Sequence, residues 1–200
     1  MTDPERRSLP IDDGYPIVVR LSGRRVLVVG GGTIALRKVL GLAASGAVVS
    51  VVSPEFAEGF AEGFAEGFGD GSADVQLVRR PYRTTDIEGA WLVVAATNDP
   101  VVQQQIYDDA ERAGIFVNAV DDPDRCSFIL PAVERRGPVI IAVSTQGRSP
   151  SLAGHLRDHI AARLPDGLAE IAESVSAQRR AIQLRGESTE DIVWPNPLSD

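Results

Sequence analysis

Apolar, β-branched runs recur along the chain at the spacing of strands separated by helices. Val26–Val29, Val48–Val52, Val75–Val78, Trp91–Ala96 and Ile115–Val117 are continuous rather than alternating in hydrophobicity, the pattern of strands buried on both faces of a parallel sheet. Between the first two, residues 33–45 place apolar side chains at 35, 36, 39, 40, 42 and 43 and end at Ser45-Gly46, which predicts an amphipathic helix and its stop. Between the last two, Asp99 can cap a helix reaching Ala113, with Pro100 suited to its first turn. The predicted fold class is α/β: a Rossmann-like parallel sheet over residues 1–120.

After Val120 the alternation stops. Ser127–Pro131 and Val139–Val143 read as two short strands joined by the charged segment VERRGP, predicting an antiparallel hairpin. Helices follow over about 151–164 and 168–184, separated by Pro165-Asp166-Gly167, and the polar end RGESTEDIVWPNPLSD reads as a loose tail. Residues 121–200 therefore form a small α+β module rather than a domain with a deep core. One stretch breaks the pattern: FAEGFAEGFAEGF, residues 56–68, spaces Phe56, Phe60, Phe64 and Phe68 four apart. Its glycines each cost a helix about 1 kcal/mol, so it reads as a low-complexity extension after the second strand, docked by some of its phenylalanines.

Composition narrows the class. A 200-residue chain that is 44% hydrophobic and 24% charged, without an apolar run of membrane-spanning length, is a globular chain with a real core. Its net charge of -8 argues against coating nucleic acid or anionic lipid, so an anionic ligand must meet a local cluster of cations. Lys38 is the only lysine among 20 basic residues. The lone Cys126 excludes an intrachain disulfide and a cysteine metal cluster. The N-terminus, MTDPERRSLPIDDGYP, has charge and proline where an export signal needs an apolar stretch, so a cytoplasmic location is expected.

The strongest motif is VLVVGGGTIALRK, residues 26–38, in which Gly30-x-Gly32-x-x-Ala35 follows a strand and opens a helix. Gly30 permits the tight turn, Gly32 lets backbone approach a pyrophosphate, and Ala35 allows close helix packing. Free N–H groups at the helix start then face the phosphates. A ligand-free glycine turn is the competing reading, and the whole strand-turn-helix context favours dinucleotide binding. At the end of the second strand, where an NAD site has an acid for the ribose, stands Ser53; Glu55, or Ser53 with backbone groups, can take that task. No arginine is expected to adjoin this strand end and welcome a 2′-phosphate, so NAD is favoured over NADP.

Polar residues mark the carboxyl ends of the other strands: Thr97-Asn98-Asp99, and Asn118 with Asp121-Asp122. Ordinary turn chemistry accounts for such residues singly, but their joint placement on one sheet edge predicts an active crevice. Asp121 is a candidate general base or metal ligand there, against the alternative of a solvated loop acid. Further on, Gln146-Gly147-Arg148-Ser149-Pro150-Ser151 combines flexible backbone, a guanidinium and a helix start, suited to gripping carboxylates, with Ser149 as helix cap. His155 and His159, four apart on one helix, lack the glutamate of an HExxH arrangement and read as surface or packed residues rather than metal ligands. No metal site is expected. Cys126, without a base nearby in sequence, reads as a small buried residue.

These blocks resemble the precorrin-2 dehydrogenases, including the N-terminal part of siroheme synthase. The resemblance runs from YPIVVRLSGRRVLVVGGGTIALRK to SPEF, and from WLVVAATNDP through NAVDDPDRCSFILPAVERRGPVIIAVSTQGRSPSLAGHL, covering about Tyr15 to Pro165. It implies NAD-dependent dehydrogenation of precorrin-2 to sirohydrochlorin and, in some members, insertion of ferrous iron to give siroheme. It also implies a homodimer whose contact is built largely from residues 121–146. Carried over by position, the catalytic aspartate is Asp121 in NAVDDP. The NAD contacts carried over are Thr33, Ile34, Pro54, Glu55, Thr97 and Asn98, joining Gly30 and Gly32 of the motif; Asn118, Arg148 and Ser149, read above from strand-end and helix-start chemistry, are the candidate tetrapyrrole contacts. Asn98 stands where the family often has an acid, the FAEG repeat departs from the pattern, and a form without the fused methyltransferase domain is expected.

Precorrin-2 carries eight carboxylates, and Arg125, Arg135, Arg136, Arg148 and Arg157, expected to cluster in the second module, would supply cations for them. Two other functions compete. A regulatory NAD-binding module would bind nucleotide without turnover. An NADP-dependent reductase of a small substrate is disfavoured, because the tyrosine-lysine pair of many such enzymes is missing and Lys38 lies in the first helix.

Overall fold

A computed structural model describes residues 14–63 and 74–188. All five predicted strands form, as β1 (Arg25–Val29), β2 (Val48–Ser53), β3 (Val75–Arg79), β4 (Leu92–Ala95) and β5 (Phe116–Ala119). They pair in parallel in the order β3-β2-β1-β4-β5. The order reverses between β1 and β4, the switch point where open α/β sheets bind ligands beyond the carboxyl ends of their strands. Alternate residues of β1, β2, β4 and β5 feed two cores. Val26, Val28, Val49, Val51 and Val94 meet Ala35, Val39 and Ala43 of α1 (Thr33–Ala43) and buried Phe60. Leu27, Val29, Val93 and Val117 meet Ile106 and Ala110 of α2 (Pro100–Ala113) on the other face. Both faces are covered, which is why the strands read as unbroken apolar runs.

The helix signals hold in detail. Asp99 caps α2 by accepting from the N–H groups of Val101 and Val102 at 2.9 and 3.3 Å, Pro100 takes the first turn, and Gly114 ends the helix at φ 66°. In the FAEG stretch, Phe56 and Phe60 pack edge to face at 5.1 Å and join the α1 side of the core, as docking by some of its phenylalanines predicted. Phe64 and Phe68 lie outside the described residues.

The chain divides into two compact units, with the boundary at Ile129/Leu130 rather than at Val120. The first unit extends that far because residues 123–128 return beside β5: the Ser127 N–H donates to the Val117 carbonyl at 2.8 Å and the Ser127 hydroxyl accepts from the Val117 N–H at 2.7 Å. This corrects the predicted strand Ser127–Pro131. The hairpin strands are β6 (Ala132–Arg136) and β7 (Val139–Val143), joined by the two-residue turn Gly137-Pro138. Gly137, at φ 55°, supplies the positive φ that a two-residue hairpin needs at its first turn position, so the charged residues Glu134–Arg136 belong to the strand.

In the second unit α3 (Pro150–Ala161) and α4 (Leu168–Leu184) pack on this hairpin. Ala153 is its only buried apolar residue among those described, while Leu152, Leu156 and Ile160 stand exposed four apart along α3. None of the described helices is long and apolar enough to cross a membrane.

The link between β3 and β4 is held by a charge. Asp86 is buried and accepts from both terminal nitrogens of Arg80 at 2.5 and 2.7 Å and from the Arg83 N–H at 2.8 Å. The Arg80 guanidinium, helped by the Arg83 N–H and opposed by burial, holds its carboxyl below the usual aspartate value. A depressed folded-state pKa contributes stability that is present above the unfolded value of about 3.9 and is lost as pH falls through the folded one. Asp86→Asn is therefore expected to lower Tm at pH 7, with the gap to wild type narrowing below about pH 4. Thermal unfolding at both pH values checks this.

Candidate functional site

The site begins with a lack of space. Gly30 adopts φ 127°, and a side chain there would come within 2.1 Å of the Ala96 carbonyl oxygen, because β1 and β4 end side by side. Gly31 is equally confined: a Cβ would meet the Glu55 carbonyl at 2.1 Å. There the segment after β2 crosses the turn, with the Ala57 N–H donating to the Gly31 carbonyl at 2.8 Å. Gly31 was not singled out from the sequence, since its constraint comes from residues 24 positions away. Gly32 differs from both, having nothing within 4 Å of its missing Cβ.

That open space lies at the start of α1. Gly32 is the N-cap, no side chain caps the helix, and the first turn carries no acid. The first helical bond reaches the Gly32 carbonyl from the Leu36 N–H, so the N–H groups of Thr33, Ile34 and Ala35 have no intrahelical acceptor. Uncapped donors at the positive end of a helix dipole, beside space where a Cβ would otherwise stand, fit a pyrophosphate. The residues present therefore suit a dinucleotide, with Gly32, Thr33 and Ile34 as its phosphate-side holders.

At the end of β2, Ser53 is buried and its hydroxyl donates to the Glu55 carbonyl at 2.5 Å. It shapes the turn, which leaves Pro54 and Glu55 exposed beyond the strand end. One expectation is corrected here. β3 pairs Arg79 with Ser53, and the Arg79 guanidinium lies 5.4 Å from the Phe56 ring centroid, so an arginine does adjoin this strand end through the sheet register. Beyond β4, the Thr97 hydroxyl accepts from the Asp99 N–H at 3.2 Å and Asn98 is exposed.

Asp121 follows β5 on the same edge. It is exposed and left-handed, with φ 61°, a conformation that is uncommon outside glycine and best tolerated by Asn and Asp. The loop bearing it is pinned from several sides. Asn118 is buried and donates to the Phe128 carbonyl at 2.9 Å, the Gln103 amide donates to the Val120 carbonyl at 3.3 Å, and Arg125 pairs with Asp122 while donating to Gln104 Oε1 at 2.8 Å. Cys126, only partly buried, lies 3.2 Å from the carbonyls of Ala119 and Asp122; burial pushes its thiol up, against the hydrogen bond to Ala119. It is an uncharged loop residue rather than a nucleophile.

In the second unit Ser149 caps α3, its hydroxyl accepting from the Leu152 N–H at 3.3 Å. Thr145 braces it, accepting from the Ser149 N–H at 3.0 Å and donating to its carbonyl at 2.9 Å. Arg148 is exposed in the turn between them, after Gln146 and Gly147 at positive φ. The expected arginine cluster is corrected. Arg125 belongs to the first unit and pairs with Asp122, Arg136 pairs with Glu134 at 2.9 Å, and Arg157 pairs with Asp158 at 2.6 Å. His155 and His159 are exposed on α3.

Comparison with known proteins places this arrangement. The family model NAD_binding_7, described as NAD(P)-binding, matches residues 17–132. Siroheme synthase of Photorhabdus laumondii is 35% identical over 173 residues, 86% of this chain and 36% of that protein. Siroheme synthase of Azotobacter vinelandii is 42% identical over 160 residues, 80% of this chain and 33% of that protein. The chain thus spans about a third of the length of these curated relatives. Among solved structures, that of SirC, precorrin-2 dehydrogenase, superposes with a TM-score of 0.72 at 27% identity, covering 88% of this chain and 84% of that one.

Because the space over Gly32 is open and an aspartate is a good N-cap, Gly32→Asp is expected to fold with Tm unchanged or raised. It should weaken nucleotide binding at least tenfold, its carboxylate taking the donors meant for phosphate. Thermal unfolding and a fluorescence titration with NAD separate the two effects. With the match extending over more than half its length, onto the sheet and glycine turn that hold this site, the chain belongs to the NAD_binding_7 family of NAD(P)-binding proteins.

Proposed function

We propose that this chain oxidises precorrin-2 to sirohydrochlorin with NAD as acceptor, in siroheme biosynthesis. The observation that carries the reading is Asp121, held in a left-handed backbone at the edge that bears the glycine turn. Strained backbone at a strand end persists where surrounding bonds over-determine it and is characteristic of functional positions. The likeness to SirC, precorrin-2 dehydrogenase, over most of both chains supports the same assignment.

NAD supplies a hydride acceptor when bound. The chain's own part is to hold the cofactor by Gly30, Gly32, Thr33 and Ile34 on the phosphate side. Pro54 and Glu55 hold the ribose, and Thr97 and Asn98 lie toward the reacting end. Exposed Glu55 favours ribose hydroxyls over a 2′-phosphate, so NAD is preferred despite Arg79. Dehydrogenation removes a hydride and a proton; Asp121 accepts the proton, buried Asn118 holds the loop that bears it, and in the second unit Arg148 and Ser149 are the residues proposed to bind carboxylates of the macrocycle. Fixing ring and acceptor face to face supplies much of the rate.

A homodimer is part of the proposal, supported by the exposed row Leu152, Leu156 and Ile160 on a unit that buries a single alanine among its described residues. Light scattering is expected to give twice the chain mass of 21.4 kDa. Ferrous iron insertion into the product is a further proposed activity, with iron as substrate.

The deciding experiment gives the purified protein NAD and precorrin-2 and follows absorbance to sirohydrochlorin. Turnover is expected, and nucleotide binding without turnover would favour a regulatory module instead. Asp121→Ala is expected to lower kcat at least 100-fold, roughly the lower limit for loss of a general base, while NAD affinity stays within about twofold. Adding ferrous iron to the same assay then reads the second activity as siroheme formation.

A further inference from the structure

The only lysine in the chain lies on α1, which packs into the same core layer as residues flanking the proposed base. Lys38 is in the second turn of α1, and its place on the helix follows from Leu36. A Cβ at Gly63 would lie 3.1 Å from Leu36 Cδ2, so that side of α1 faces the segment after β2. At about 100° per residue, Lys38 projects from nearly the opposite flank. It lies there with exposed Ile34, one turn earlier.

Val120 and Phe128, which bracket the loop carrying Asp121, pack into the same core layer as α1. Helical side chains lean toward the helix N-terminus, and the lysine stem is long enough to carry its charge back about one turn, to the sheet edge. Among the described residues the ammonium forms no ion pair. Its half-buried position, with Arg37 adding to the effect, pushes it below the usual lysine value, and Asp121 pulls the other way.

A partly desolvated cation near a carboxylate, but not paired with it, is poised for a second anion. Paired arginines such as Arg125, Arg136 and Arg157 are less available for one. We propose that Lys38 is a substrate-binding residue, its ammonium gripping one peripheral carboxylate of the tetrapyrrole next to Asp121. This rests on the dehydrogenase reading above and adds to it a determinant of substrate charge in the sheet unit.

Steady-state kinetics of Lys38→Met test the proposal, the methionine keeping most of the apolar stem. The KM for precorrin-2 is expected to rise roughly 10- to 100-fold, the range for a lost charge-assisted hydrogen bond. The kcat should stay within about threefold and the KM for NAD should not change. Lys38→Arg, which keeps the charge, should recover most of the affinity.

An unchanged KM for precorrin-2, or parallel rises for NAD and precorrin-2, would overturn the proposal, the latter marking Lys38 as a support of α1. A binding titration with uroporphyrin III, an octacarboxylate ring, reads the site without turnover and with Lys38→Gln as second variant. If wild type binds this ring at least tenfold more tightly than both neutral variants but never oxidises precorrin-2, the carboxylate site stands and the dehydrogenase reading falls. Equal binding by all three proteins would sink the proposal whatever the turnover.

Discussion

The fold turns on the absence of a side chain at two adjacent positions. Backbone of β1, β4 and the segment after β2 converge on Gly30 and Gly31, each with a carbonyl oxygen 2.1 Å from where a Cβ would stand. Only bare backbone allows three strand ends to close on one turn. That closure aims the first N–H groups of α1 along the sheet edge, where Gly32 leaves them uncovered. The nucleotide-binding geometry is thus a consequence of how tightly the sheet closes, and an added methyl at either position would spoil both together.

A second constraint acts on the chain leaving β5. It takes a left-handed step at Asp121 and then folds back so that Ser127 bonds to Val117 and Asn118 to the Phe128 carbonyl. These bonds cover the edge of β5, which would otherwise present unpaired backbone groups. They also fix where the acid stands. Asn118, Gln103 and Arg125 act on Asp121 through the backbone, so the rigidity of the acid's position is supplied by residues that need not meet a substrate.

The second unit is organised differently. Its hairpin and two helices bury a single alanine among the described residues and leave Leu152, Leu156 and Ile160 open. So little buried apolar surface is a weak basis for independent stability, since burial contributes only about 25 cal/mol per Å². A unit of this kind gains most from further apolar burial, which is what pairing with a second copy would provide.

Much of this was legible in order along the chain. Five strands, the capped helix from Pro100, the helix over 168–184 and the Gly30-x-Gly32 turn follow from periodicity and capping chemistry, which act between residues a few positions apart. The hairpin register was not legible, because Gly137's positive φ outweighed the polarity that marked Glu134–Arg136 as a turn. Nor were Gly31's confinement by Glu55 or Arg79's place beside Ser53. Each joins residues more than 20 positions apart, so only the closing of the sheet, with its register and helix rotation, brings them together. The sequence alone determined which elements form and which chemistry they carry; the tertiary structure decided which of those groups are neighbours, because proximity across a sheet depends on packing that no local pattern records.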